Sequence, residues 1–279
     1  MRMLTSSSLS VIQPGWSDRL RLSYLMVSES QSPVLLVHGW GAFKELWWST
    51  MLKLAPYYQV VAVDLPAHGD SPPAYRLTIR GLAEVLADFC TEQGWEQIAL
   101  VGHSLGGNIA LELALARPDL VQRLVLVDAA IDARRLPAFA RVHGLPGYGW
   151  MLLRLRIMFN TWISLFGANI PHMHGGGVIR PWLRRSWHMR KHDPAGMQYI
   201  LQGLFANPLS TRLPQVQATT LVMSGQFDRL VPLALSRQVA QAIPRARLVV
   251  IPHALHNPMD EQPVRFEREL LAFLRETDV

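Results

Sequence analysis

The chain has 279 residues, 49% of them hydrophobic, and a mean hydropathy of +0.13, which is ample material for a packed core and excludes a disordered polymer. No uninterrupted apolar run reaches the ~18 residues of a membrane-spanning helix, and Met1 to Ser8 carries no apolar stretch of secretory-signal length. The single cysteine, Cys90, excludes an intramolecular disulfide, so a cytoplasmic protein is expected. The net charge of +6 is unevenly spread: Arg134 to His192 holds ten Arg or Lys and no Asp or Glu, leaving −4 for the remainder.

Leu9 to Gln13 and Leu20 to Val27 alternate as short strands, with Pro14 to Asp18 as the turn between them. Pro33 to Val37 is a continuous apolar run, as expected of a strand buried on both faces, and ends in His38, Gly39, Trp40 and Gly41. A helical pattern follows at Leu46 to Leu54, then a strand at Val60 to Val63 and a loop from Asp64 to Ser71. Thr78 to Gln93 is helical, and Cys90 within it reads as a small buried hydrophobe. Ile98 to Val101 is a strand, Asn108 to Arg117 a helix, and Leu120 to Val127 a strand closing at Asp128. This alternation predicts an α/β fold: a mostly parallel central sheet flanked by helices. From Ile131 to Leu213 the rhythm stops. It resumes with a strand at Thr220 to Ser224, a helix at Leu233 to Ala242, a strand at Arg247 to Ile251 and a helix at Val264 to Leu274. The expected organisation is a core of residues 1–130 and 214–279 with an inserted helical lid at 131–213.

The chemistry centres on Gly102, His103, Ser104, Leu105, Gly106 and Gly107, between the Ile98 strand and the Asn108 helix. Side chains at 102 and 106 would strike the neighbouring strand and helix, so glycines there permit a turn that exposes the Ser104 hydroxyl. A serine needs a base to take its proton and a third group to orient that base. Loops after later strands supply Asp228, within Gly225 to Pro232, and His256, within His253 to Pro258. Asp128 is the alternative acid and His253 the alternative base. His38, His68 and His103 read as loop-orienting groups.

The sequence resembles the α/β-hydrolase fold family over nearly its whole length. Five motifs carry the resemblance in order: His38-Gly39-x-Gly41; Asp64, Gly69 and Ser71; Gly102-x-Ser104-x-Gly106-Gly107; Gly225, Asp228, Val231 and Pro232; and His256, Pro258, Glu261 and Pro263. One departure is Ala67, where many relatives carry glycine. The resemblance implies a Ser104, Asp228, His256 triad and an oxyanion hole from the backbone N–H groups of Trp40 and Leu105. Serine at the elbow argues against haloalkane dehalogenase and epoxide hydrolase relatives, which need a carboxylate there.

Acyl transfer to water is the chemistry such a triad supports, so the expected enzyme is a serine hydrolase of carboxylic esters, of the esterase or lipase kind. Carbon–carbon bond hydrolases and perhydrolases of the same fold are the alternative enzymes, and a small-ligand receptor the alternative without turnover. The inserted segment is rich in aromatics, which points to an apolar acyl or aromatic substrate; Trp40, His103, Trp150, Phe159 and Trp162 are the expected contacts. Its ten basic residues suggest an anionic surface or an acyl-carrier protein as partner, with Arg180, Arg184, Arg185, Arg190 and Lys191 facing outward, or else pairing with the acids of the core. No cofactor is implied. His188 and His192 lie four apart but lack acidic or thiol companions, so no metal site is expected. A pI of about 9.9 alone does not make a nucleic-acid binder, and no reading module is present.

Overall fold

A computed structural model describes residues 11–28, 30–73, 76–145, 147, 149, 151–155, 158–159, 188 and 190–276. Eight strands form one sheet: β1 (Gln13–Ser17), β2 (Leu22–Ser28), β3 (Pro33–Val37), β4 (Gln59–Val63), β5 (Ile98–His103), β6 (Val121–Val127), β7 (Thr219–Gly225) and β8 (Ala246–Ile251). Their order is β1-β2-β4-β3-β5-β6-β7-β8. β1 and β2 are antiparallel to their neighbours, and all pairs from β4 to β8 are parallel. The chain therefore reverses direction across the sheet between β3 and β5. In open parallel sheets the crevice beyond the strand ends at such a reversal is where ligands bind.

Alternate residues of the central strands feed two cores. Leu35, Val37, Leu100, Leu124 and Leu126 face the layer containing α2 (Ile79–Glu92) and α3 (Leu105–Ala116). Val34, Leu36, Val101, Val125 and Val127 face α1 (Trp48–Leu54) and the C-terminal helix, Pro263–Leu274. Burial on both faces is why these strands read as unbroken apolar runs. The Thr78 hydroxyl caps α2 by accepting the Gly81 N–H at 3.0 Å. Cys90 is buried, and burial pushes its thiol up to about 12.

The opening hairpin differs from expectation. Pro14 and Gly15 lie inside β1, and the turn falls at residues 18–21, where Arg21 has φ +53°. Proline's missing N–H is tolerated because β1 is an edge strand. The Tyr24 ring packs over Gly15, where an added Cβ would lie 2.2 Å from it and push the ring aside.

After β6 the β/α rhythm gives way to short helical turns, Ala133–Arg135 and Ala138–Arg141, and then to α4 (Pro194–Ala206). The entry to α4 is fastened to the β4 loop. The Asp193 N–H donates to Ala67 O at 3.0 Å, and Asp193 caps the helix through the Gly196 N–H at 2.6 Å. His192 Nδ1 accepts the Gly69 N–H at 2.9 Å, Lys191 Nζ pairs with Asp70 at 2.5 Å, and His188 stacks on Phe43 with centroids 4.3 Å apart. Among the described residues no helix is long and apolar enough to cross a membrane.

Candidate active site

Ser104 follows β5 directly, with φ +53° and ψ −115°. Such a backbone costs of order 1–3 kcal/mol and persists only where the surroundings impose it. Here the Ser104 N–H donates to Val127 O at 2.9 Å, and Ser104 O accepts from Ala130 N at 3.1 Å and Gly107 N at 3.1 Å. The flanking glycines behave as their positions imply. A Cβ at Gly102 would lie 2.4 Å from Gly106 O, and one at Gly106 would lie 2.4 Å from His38 O at the end of β3. Leu105, the first residue of α3, carries its N–H at the positive end of the helix beside Ser104.

Asp228 follows β7. Its Oδ1 accepts the N–H groups of Leu230 and Val231 at 2.7 and 3.0 Å, which fixes the carboxylate and leaves Oδ2 to accept from His256 Nδ1 at 2.7 Å. Burial pushes the Asp228 carboxyl up, but the His256 bond and the two N–H donors outweigh it and hold the group below its ordinary range. His256 is itself bracketed. Glu261 accepts the N–H groups of Leu255 and Asn257, and His103 Nε2 donates to His256 O at 2.8 Å. With Nδ1 donating to Asp228, the His256 Nε2 is the acceptor available to a hydroxyl. Glu261 and His103 thus hold the loop that carries the imidazole; the first was visible in the sequence only as a motif residue.

The alternatives are engaged in other contacts. His253 is exposed, with φ +59°, and its N–H donates to Gln226. Asp128 is fully buried and binds the Ser224 hydroxyl and the Gly225 N–H. His38 donates from Nδ1 to Gly39 O and accepts the Leu65 N–H on Nε2; burial holds it well below its usual range, hence neutral. His68 Nδ1 donates to Pro66 O, and burial lowers it to about 4. Asp128, Asp228 and His256 present ligand atoms within 4.8 Å of one another. Those atoms already serve each other and nearby N–H groups, so a metal would have to break the His256 to Asp228 bond.

Ser104 and His256 line one cavity of about 240 Å³, together with Trp40, His103 and Leu105. Trp40 is held by its indole N–H on Met197 O at 3.0 Å. The apolar wall is built from Leu136, Phe139, Leu201, Leu204, Phe205 and Val231. Of the aromatics expected there, Phe159 is 55% exposed and does not line the cavity, while Trp150 and Trp162 lie outside the described residues. The wall residues of α4 went unnoticed in the sequence, although Met197, Ile200, Leu201 and Leu204 recur at helical spacing and are all buried. Arg180, Arg184 and Arg185 also lie outside the described residues, and Lys191 turns onto Asp70 of the core.

The profile of the alpha/beta hydrolase fold family matches residues 32–263. The chain is 29% identical over 250 residues, 84% of its length and 92% of the relative's, to pimeloyl-(acyl-carrier protein) methyl ester esterase of Nitrosomonas europaea. It is 31% identical over 224 residues, 79% of its length and 76% of the relative's, to poly(3-hydroxyalkanoate) depolymerase of Ectopseudomonas oleovorans. Among solved structures it superposes on a thermophilic esterase of Thermogutta terrifontis with a TM-score of 0.69 at 25% identity, covering 91% of this chain and 94% of that one. The eight-stranded sheet, the serine elbow after β5 and the match over residues 32–263 agree, and the chain belongs to the alpha/beta hydrolase fold family.

Proposed function

We propose that this protein hydrolyses carboxylic esters through an acyl-enzyme. The observation that carries the reading is the 2.7 Å bond from His256 to Asp228 with Ser104 and His256 facing one apolar cavity. Ser104 is the nucleophile. His256 takes its proton on Nε2 and returns it to the leaving alcohol, while Asp228 holds the imidazole in the required tautomer and stabilises the imidazolium. The tetrahedral oxyanion is received by the backbone N–H groups of Trp40 and Leu105; one such donor is typically worth about 10²- to 10³-fold in rate. The acyl chain lies along the wall of Leu136, Phe139, Leu201 and Leu204, which the inserted segment supplies as its part of a lid.

The test is hydrolysis of a chromogenic short-chain ester together with fluorophosphonate labelling. Turnover and labelling that both vanish in Ser104→Ala support the reading. An unlabelled wild-type protein with no turnover supports a receptor instead, and turnover confined to a carbon–carbon substrate supports that alternative.

Within this activity, a carrier-bound ester is the substrate class we favour, because several relatives are named as esterases of an acyl-carrier-protein ester and residues 134–192 carry ten basic side chains and no acid. Acyl-carrier-protein capture by such a segment weakens as the Debye length falls from about 8 Å at 0.15 M salt to about 3 Å at 1 M. The kcat/KM for a carrier-bound ester should therefore fall steeply with NaCl while that for a small neutral ester barely changes. Changing Arg180, Arg184 and Arg185 together to Gln should flatten the first curve. Equal salt curves before and after that change would remove the segment from substrate capture.

A further inference from the structure

A second carboxyl stands behind the proposed triad. Asp128 ends β6, fully buried, in left-handed backbone with φ +42°. Its Oδ1 accepts the Ser224 hydroxyl at 2.8 Å and the Gly225 N–H at 3.1 Å, and the same N–H lies 3.2 Å from Oδ2. These donors are neutral. An oxygen of Asp128, an oxygen of Asp228 and a ring nitrogen of His256 lie within 4.8 Å of one another. Among the described residues, the titratable groups set against Asp128 are Asp228, from the loop after β7, and His256, from the loop after β8. His103, at the end of β5, packs its ring 4.8 Å from that of His256.

Two buried carboxylates this close disfavour joint ionisation, which favours a proton on one of them. The hydrogen bonds decide which group holds it. Asp228 accepts three donors, from Leu230, Val231 and His256, and the last becomes a full cation when the base is protonated. Asp128 has no charged donor among the described residues. Burial first, and then the charge on Asp228, drive Asp128 well above the ordinary carboxylate range.

We propose that Asp128 is a positioning residue: its carboxyl stays protonated in the working enzyme and donates an O–H hydrogen bond to the Asp228 carboxylate. The bond keeps Asp228 oriented on His256 and restricts the site to one negative charge. The Ser224 hydroxyl engages Oδ1 alone, with the Gly225 N–H shared between the two oxygens, so Oδ2 is the oxygen that carries the proton toward Asp228. The inference rests on the triad reading above.

Asparagine copies the protonated acid, with an amide oxygen for Ser224 and Gly225 and an N–H for Asp228. The experiment compares wild type, Asp128→Asn and Asp128→Ala by kcat/KM against pH on a neutral short-chain ester, with thermal unfolding alongside. Asp128→Asn should keep kcat within about threefold with the acidic limb unmoved, while Asp128→Ala should lose about tenfold or more. If Asp128 is instead ionised, removing its charge beside His256 moves the acidic limb of Asp128→Asn down by about one pH unit, which overturns the proposal. Equal losses in both variants overturn it too.

Infrared difference spectra of wild type against Asp128→Asn at pH 7 give a readout independent of turnover. A protonated-carboxyl C=O band present in wild type and missing in the variant is expected, and its absence sinks the proposal even if Asp128→Ala fails to fold. Failure of the triad itself shows separately, as turnover that survives Ser104→Ala.

Discussion

At the end of β4, Asp64 is fully buried and receives the Lys44 ammonium at 2.6 Å, the Lys44 N–H at 2.7 Å and the Asp70 N–H at 3.0 Å. The ammonium reaches on to Asp70 at 2.9 Å, and Asp70 also takes Lys191 at 2.5 Å. Burial opposes the Lys44 charge, but Asp64 and Glu45 outweigh it and hold the ammonium well above its usual range. At the ends of β6 and β7, Asp128 and Asp228 are equally enclosed, and an imidazole stands where the first cluster has lysine. The first cluster is held together by the permanent cations of Lys44 and Lys191. In the second, an imidazole stands in place of the permanent cation, and it is the group that the proposed triad would use as its base.

The largest expected effect lies in the second cluster. Ser104→Ala, His256→Ala and Asp228→Asn should each reduce kcat by about 10⁴-fold while the Tm hardly changes, since the losses fall on the transition state. A Ser104→Ala enzyme retaining a tenth of wild-type kcat would dissolve the contrast between the two clusters.

In the first cluster the effect falls on stability. Lys44→Met strands the buried Asp64 charge and should cost about 3–5 kcal/mol in urea unfolding, with kcat of the folded fraction retained. Adding Asp64→Asn should recover part of the loss. A Lys44→Met protein of wild-type stability would show that no permanent cation is needed there.

Acid separates the clusters further. Burial lowers His68 to about 4 from an unfolded value of about 6.5, so the neutral ring's stabilisation is complete above pH 6.5 and is lost as pH falls toward 4. The full loss is about 3 kcal/mol, and His68→Asn should flatten that part of the Tm against pH curve. Asp70 adds a smaller acid-side loss. Burial pushes its carboxyl up, but Lys191 and Lys44 hold it down to about 2, so this partly exposed contribution is present above an unfolded value of about 4 and fades below it. Asp128 behaves oppositely. Its raised value favours the fold at low pH and loses that benefit as pH rises, so the Tm of Asp128→Asn should gain on wild type between pH 4 and pH 8.

The smallest change concerns the loop after β4, to which the entry of α4 is hydrogen-bonded. Ala67 has φ +68°, where an L side chain is strained, and it stands where the resemblance places glycine in many relatives. Ala67→Gly should gain up to about 1 kcal/mol in urea unfolding without altering kcat, and a loss would mean that burial of its methyl outweighs the strain.

Short-range chemistry made much of this legible in the amino-acid sequence. Apolar runs locate β3, β5, β6 and β7, helical spacing locates α2 and α3, and Gly102 and Gly106 mark the elbow at Ser104, because periodicity and turn sterics depend on neighbours along the chain. Tertiary structure decided the rest, through residues that are distant in sequence. Pro14 and Gly15, turn-forming by local chemistry, become strand because β1 is an edge and the Tyr24 ring covers Gly15. His256 rather than His253 meets Asp228 because Glu261 and His103 hold its loop. Asp128 and Ser224, 96 positions apart, become bonded only when β6 and β7 pair, and that pairing sets the second carboxyl against the first. Whether a buried acid meets lysine or another acid depends on which strand ends the sheet order brings together, and no local pattern encodes that choice.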